Sequence, residues 1–174
     1  MGKLLLINGA KSKGVFLLLL LAGFAAGCWY YSTSGSLLPS HIKTVAVPLL
    51  GNETTWEYGI KEKLTDAIID AFTRDNTLRV ESERNADSIL RASIVSIQEI
   101  PFTYDQHEQV QEYKMQMYLR IHFEDVSKKK VLWEEEAMEG WGTYSTEDEE
   151  WEDGIERAIE KLASDIVNKT VAGW

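Results

Sequence analysis

YKMQMYLRIHF, residues 113–123, alternates apolar and polar side chains over eleven residues. Tyr113, Met115, Met117, Leu119, Ile121 and Phe123 form one set, and Lys114, Gln116, Tyr118, Arg120 and His122 form the other. Successive side chains of a strand point to opposite faces, so this period predicts a long strand with one face on a core and one face wet. Its flanks supply the partners. Downstream, DVSKKK (125–130) reads as a turn leading into VLWEEEAMEGWGTY (131–144), a hairpin partner whose far end Gly140 and Gly142 are expected to weaken. Upstream, SILRASIVSI (88–97) is β-branched and flanked by Pro101, which predicts a second main strand, and Asn85-Ala86-Asp87 before it reads as a turn.

Helical spacing occurs on either side of this block. Ile60, Leu64, Ile68, Ala71 and Phe72 predict a helix over about 56–74, with Thr54 and Glu57 at capping-box spacing and a stop near Asn76. Trp151, Ile155, Ala158, Ile159, Leu162 and Ile166 predict a second helix over about 147–171, capped by Thr146 and Glu149, with acids in its first turn and Lys169 in its last. Ile42 to Val47 reads as a first strand ended by Pro48, and TLRVES (77–82) as a short strand or extended connector. The order β-α-β-β-β-α predicts an α+β two-layer sandwich: two helices on one face of a mostly antiparallel, mixed four-stranded sheet. The first helix is a crossover, which allows the first strand to pair in parallel.

The 174 residues carry 18 basic and 28 acidic side chains, a formal charge of -10. So acidic a chain repels phosphate backbones, which disfavours nonspecific nucleic-acid binding. Catalytic groups are sparse. His41, His107 and His122 are not grouped, and no phosphate loop, nucleophile elbow or zinc-protease motif is present. No enzyme, cofactor or metal is expected. The acidic run STEDEEWEDG (145–154) lacks calcium-loop spacing and suits a helix amino terminus. Lys128, Lys129 and Lys130 form the one compact basic cluster. Trp133 and Trp141 suit either a core or an interface, since aromatic side chains fill both.

The front of the chain has a different character. Lys3, Lys11 and Lys13 precede an apolar run, Val15 to Gly27, of thirteen residues. That is short of the roughly 20 residues of a membrane-spanning helix but fits the core of a secretory signal. The lone cysteine, Cys28, follows Ala25-Ala26-Gly27 and precedes the polar stretch WYYSTSGSLLPS. One cysteine excludes an intramolecular disulfide framework.

Ala25 to Cys28 resembles the lipobox of bacterial lipoproteins, which implies a cleaved signal peptide over 1–27, acylation (palmitate) of Cys28, a lipidated tether over 28–40 and a domain over 41–174. Several acyl chains hold stably where one anchors only marginally. Trp29, in place of aspartate, favours outer-membrane sorting by the lipoprotein pattern. HIKTVAVPLLGNETT (41–55), LTDAIIDAFTRDNTLRV (64–80), ADSILRASIVSI (86–97) and VLWEEEAMEGWGTY, in that order behind the lipobox, resemble the LptE family of lipopolysaccharide-assembly lipoproteins. The resemblance implies an outer-membrane lipoprotein on the periplasmic face that plugs the LptD β-barrel, supports its assembly and helps insert lipopolysaccharide into the outer leaflet. The lysine turn is then a candidate lipopolysaccharide contact. A lipid-anchored binding or accessory protein of another envelope system, a transport accessory or a cell-wall tether, is the competing reading.

Overall fold

The computed structural model describes residues 38–56 and 59–172, all within one compact unit, Ser36–Trp174. The expected signal peptide, Cys28 and most of the tether lie outside the described residues. In chain order the elements are β1 (Thr44–Ala46), β2 (Gly51–Asn52), α1 (Ile60–Asp75), β3 (Arg79–Val80), β4 (Ser88–Tyr104), β5 (Val110–Asp125), β6 (Lys130–Ser145) and α2 (Trp151–Val171). The class is the expected α+β sandwich, with a mixed sheet of six strands in place of the four that the sequence predicts. The sheet runs β3-β1-β4-β5-β6, and β2 pairs with β4 beyond the end of β1. Of the two additional strands, β3 falls within the 77–82 stretch that reads as a short strand or extended connector, while β2, two residues long, is too short for any hydrophobic period to reveal.

The alternation of β5 is the centre of the core. Met115, Met117, Leu119, Ile121 and Phe123 are at most 1% exposed. Burial of each such side chain stabilises by roughly 1.5–3 kcal/mol. Leu64, Ile68 and Phe72 of α1 and Ile155, Ile159, Leu162 and Ile166 of α2 complete one cluster with them, on the faces their spacing predicted. β1 and β2 lie parallel to β4, while β4, β5 and β6 are antiparallel.

Two expectations about strand ends are corrected. β4 does not stop near Ile97 but runs through Pro101 to Tyr104. Its parallel neighbours pair only with Ser88–Ile89 and Ser93–Ile94, so Pro101 lies on an open edge where its missing donor breaks no ladder, and the register shifts just after it. Nor do Gly140 and Gly142 weaken β6, which continues to Ser145. A Cβ on Gly140 would lie 2.2 Å from Leu162 Cγ, and one on Gly142 would lie 2.4 Å from both Arg157 Cβ and the Gly154 carbonyl. The helix rests directly on the strand backbone at these positions, and the absence of side chains is what admits it.

The caps also differ. α1 begins at Ile60 behind Gly59, which is left-handed at φ 68° and offers no side-chain cap. Thr54 is engaged elsewhere: its N–H and hydroxyl both donate to Asn52 Oδ1, at 3.0 and 2.8 Å. The helix closes as expected at Asn76, left-handed, whose N–H donates to the Phe72 carbonyl. For α2 the capping box is formed by Glu150 and Asp153, one residue after the expected acid. Glu149 accepts from the Arg157 guanidinium and from the Ser145 N–H, which hold its carboxyl down at about 2. Arg157 also donates to the Thr143 carbonyl, so one guanidinium covers part of the open backbone edge of β6.

Where the chain enters the domain, two buried or half-buried carboxylates hold β1 and the β5–β6 turn. Asp87 Oδ2 accepts from the Lys43 N–H (2.9 Å), the Thr44 N–H (3.1 Å) and the Thr44 hydroxyl (2.9 Å). The Lys43 N–H, followed by the Thr44 hydroxyl, keeps its carboxyl below the usual range. Asp125 Oδ2 lies 2.7 Å from His41 Nε2, and Asp125 Oδ1 accepts from the Ser127 hydroxyl (2.7 Å) and the Lys128 N–H (3.0 Å). Burial alone would raise the Asp125 pKa, but these bonds outweigh it and hold the value at about 2.

Gly142→Ala should destabilise the domain by about 3 kcal/mol, because backbone and helix atoms must move apart, whereas Ala137→Ser, at an exposed position of the same strand, should stay within about 0.5 kcal/mol; urea midpoints measure both. Acid titration gives a second expectation. Asp125 has a depressed native pKa, so its contribution is complete above the unfolded value of about 3.9 and is lost as pH falls through about 2. Glu149 adds to the same window. Asp125→Asn should lower stability at neutral pH and flatten, without abolishing, its decline between about pH 4 and 2, as followed by denaturation at each pH.

Candidate functional site

The residues singled out in the sequence fall on different parts of the domain. Lys128 and Lys129 lie in the turn between β5 and β6, and Lys130 opens β6 opposite Asp125. Lys129 is left-handed at φ 51°. The turn is held from below by Asp125, whose carboxylate bonds Ser127 and Lys128, and by the Val126 N–H, which donates to the Asp87 carbonyl at 2.9 Å. Six consecutive residues, Val126 to Val131, are exposed. Two of them are apolar, Val126 at 37% and Val131 at 41% exposure. None of the three ammonium groups has a carboxylate within ion-pair distance among the described residues. The result is an exposed turn, cationic and partly apolar, whose backbone is fixed by the bonds of Asp125.

The open face of the sheet, away from the helices, is polar along most of its length. Arg91 pairs with Glu124 and lies 3.7 Å from Glu83. Arg120 bridges Glu53 (2.7 Å) and Glu136 (3.0 Å), and His122 sits between Glu124 (3.6 Å) and Glu134 (3.7 Å). Gln116 donates to Glu139. These exposed pairs each stabilise by at most about 1 kcal/mol; their effect is a hydrated surface on which each arginine is shared between two carboxylates and acids are in excess.

At the end of this face away from the lysine turn the character changes. Phe102 and Trp141, 48% and 41% exposed, have ring centroids 6.4 Å apart, and Lys114 Nζ lies 5.6 Å from the Trp141 ring. Trp141 is thus a surface aromatic. Trp133, by contrast, packs on Phe123 at 6.0 Å and belongs to the core margin. Phe102 and the exposed Tyr104 are not legible as surface groups in the sequence, because the β-branched run that marks their strand stops at Ile97.

The three histidines are not brought together: His41 lies at the chain's entry, His107 in the β4–β5 turn and His122 on the open face. Among the described residues no three His, Cys, Asp or Glu side chains are placed to share a metal ion. The acids of residues 145–154 work locally, Glu149 on Arg157 and Glu150 with Asp153 at the start of α2. Between the helices runs an open groove of about 680 Å³ whose rim mixes Lys63 and Arg74 with Asp66, Asp70, Glu156 and Glu160. No helix among the described residues is long and apolar enough to cross a membrane.

Solved structures share this arrangement. The chain is similar to a subunit of a PelC dodecamer from Paraburkholderia phytofirmans, at 16% identity and TM-score 0.53, over 80% of this chain and 96% of that one. It is similar to protein XCC0632 from Xanthomonas campestris, at 12% identity and TM-score 0.53, over 80% and 88%. It is also similar to the hypothetical protein CT253 from Chlamydia trachomatis, at 12% identity and TM-score 0.51, over 73% and 94%. At these identities the likeness is one of fold. No curated protein matches the chain in sequence. Residues 42–170, however, match the family described as LptE, lipopolysaccharide-assembly, and this span contains the whole of the sheet and nearly all of both helices; the chain belongs to the LptE lipopolysaccharide-assembly family.

Proposed function

We propose that this chain is an outer-membrane lipoprotein, acylated at Cys28 and facing the periplasm, that occupies the lumen of an LptD-type β-barrel and helps place lipopolysaccharide in the outer leaflet. Family membership over residues 42–170 is the observation that carries the reading. The open sheet face supports it: the row of Arg91, Arg120 and His122 with the carboxylates around them is polar and hydrated, which suits the water-filled interior of a barrel. The domain works by binding and has no catalytic role. Lys128, Lys129 and Lys130 are the groups we set against lipopolysaccharide phosphates, with charge-assisted bonds as the attraction.

Affinity purification of the tagged full-length chain from detergent-solubilised outer membranes should bring down a large β-barrel. Recovery of peptidoglycan or of a different transport complex in its place would shift the chain to another envelope system. In a Cys28→Ala variant, palmitate labelling and recovery in the outer-membrane fraction should both be lost. Lys128→Ala/Lys129→Ala/Lys130→Ala should bind lipopolysaccharide about tenfold or more weakly; unchanged binding would remove the lysine turn from the proposal.

A further inference from the structure

The lysine tip and the entry of the chain into the domain are at the same end of the fold, and a single carboxylate joins them. Asp125 bonds His41, the residue before the buried Ile42, through one oxygen, and Ser127 and Lys128 through the other. Lys43, exposed beside His41, adds a fourth cation at this end. Asp125 is 1% exposed, and Asp87 receives three bonds from Lys43 and Thr44, so both carboxylates fixed to this end are turned to the backbone and do not face out beside the lysines. Of the acids nearest in sequence on the neighbouring strands, Glu124 is held by Arg91, and Glu134 lies on the open face 3.7 Å from the His122 ring. The chain as a whole is acidic, but charges farther than about 8–10 Å away are screened at physiological salt. The tip therefore acts as a local cation.

From these observations we propose that the Val126–Val131 tip docks on the anionic glycerophospholipid surface of the leaflet that holds the anchor. The tip is a turn exposed at all six residues, which fits a plane of headgroups; three lysines meet the phosphates, while the partly exposed Val126 and Val131 face the interfacial layer. The inference rests on the proposed anchor at Cys28 and concerns the anchored chain outside any barrel, where the lysines meet phospholipid phosphates before lipopolysaccharide can reach them. Cys28 precedes the first described residue, Leu38, by ten residues, at most about 35 Å of extended chain. An anchor there tethers the domain by the end that carries the lysines. With the tip docked, the domain meets the bilayer at a second point besides the anchor, and the strands are held at a set angle to it.

The test uses the full-length chain, reconstituted in vesicles of phosphatidylcholine alone or of phosphatidylcholine with about one-third phosphatidylglycerol, and footprinted by amine acetylation with mass spectrometry. Flotation of the protein with both vesicle types reports the anchor independently of the tip. Lys128, Lys129 and Lys130 should react about threefold or more slowly on the phosphatidylglycerol vesicles, while Lys61 and Lys63 on α1 and Lys161 on α2 should react equally on both. Raising salt should restore the lysine reactivity. Equal reactivity of the three lysines on both vesicle types overturns the proposal, with the anchor still verified by flotation. Protection that arises only when lipopolysaccharide is added to the vesicles also overturns it, and assigns the tip to lipopolysaccharide alone.

Discussion

The two-layer domain depends on how closely α2 can approach β6. A helix usually rides above a sheet on a cushion of side chains, but here Gly140 and Gly142 bring the helix backbone onto the strand. Gly154, on the helix, repeats the device from the other side, where a Cβ would lie 2.8 Å from Met115 Cγ. Three small residues thus let Leu162 and Ile155 reach the methionines of β5 without a void between layers. Once α2 is seated, Arg157 is within reach of both Glu149 and the Thr143 carbonyl, and the same contact that closes the core also shields the sheet edge.

What could be read from the sequence follows from what burial imposes locally. The alternation of residues 113–123 and the two helical stripes are legible because each buried face repeats along its own element. β2 is not, since a two-residue strand exists only through a partner far away in the chain, and the 77–82 stretch is left between strand and connector until β1 is seen beside it. The extension of β4 past Pro101 depends on there being no neighbour on one side, and the placing of the α2 cap depends on Arg157 drawing Glu149 away. The low strand propensity of the β6 glycines is a local property, whereas what decides their effect is the helix that lies above them.

The lysine cluster is visible as a run of like charge, but its shape is not. Nothing local in the sequence links His41 to Asp125, 84 residues apart, or shows that one buried carboxylate organises the turn. The exposed aromatics Phe102 and Trp141 are hidden for the related reason that a surface is defined by what the rest of the fold leaves uncovered.

The bonds of Asp125 and Asp87 also determine how the domain bears load. Tension on residues before His41 would enter at the start of β1 and, through Asp125, at the end of β5, the strand most enclosed by the core. The pull is divided at its point of entry between a short segment, clamped by Asp87, and the centre of the sheet. A pull on the residues before His41 would thus meet resistance first where the structure is deepest, and not at a fraying terminus.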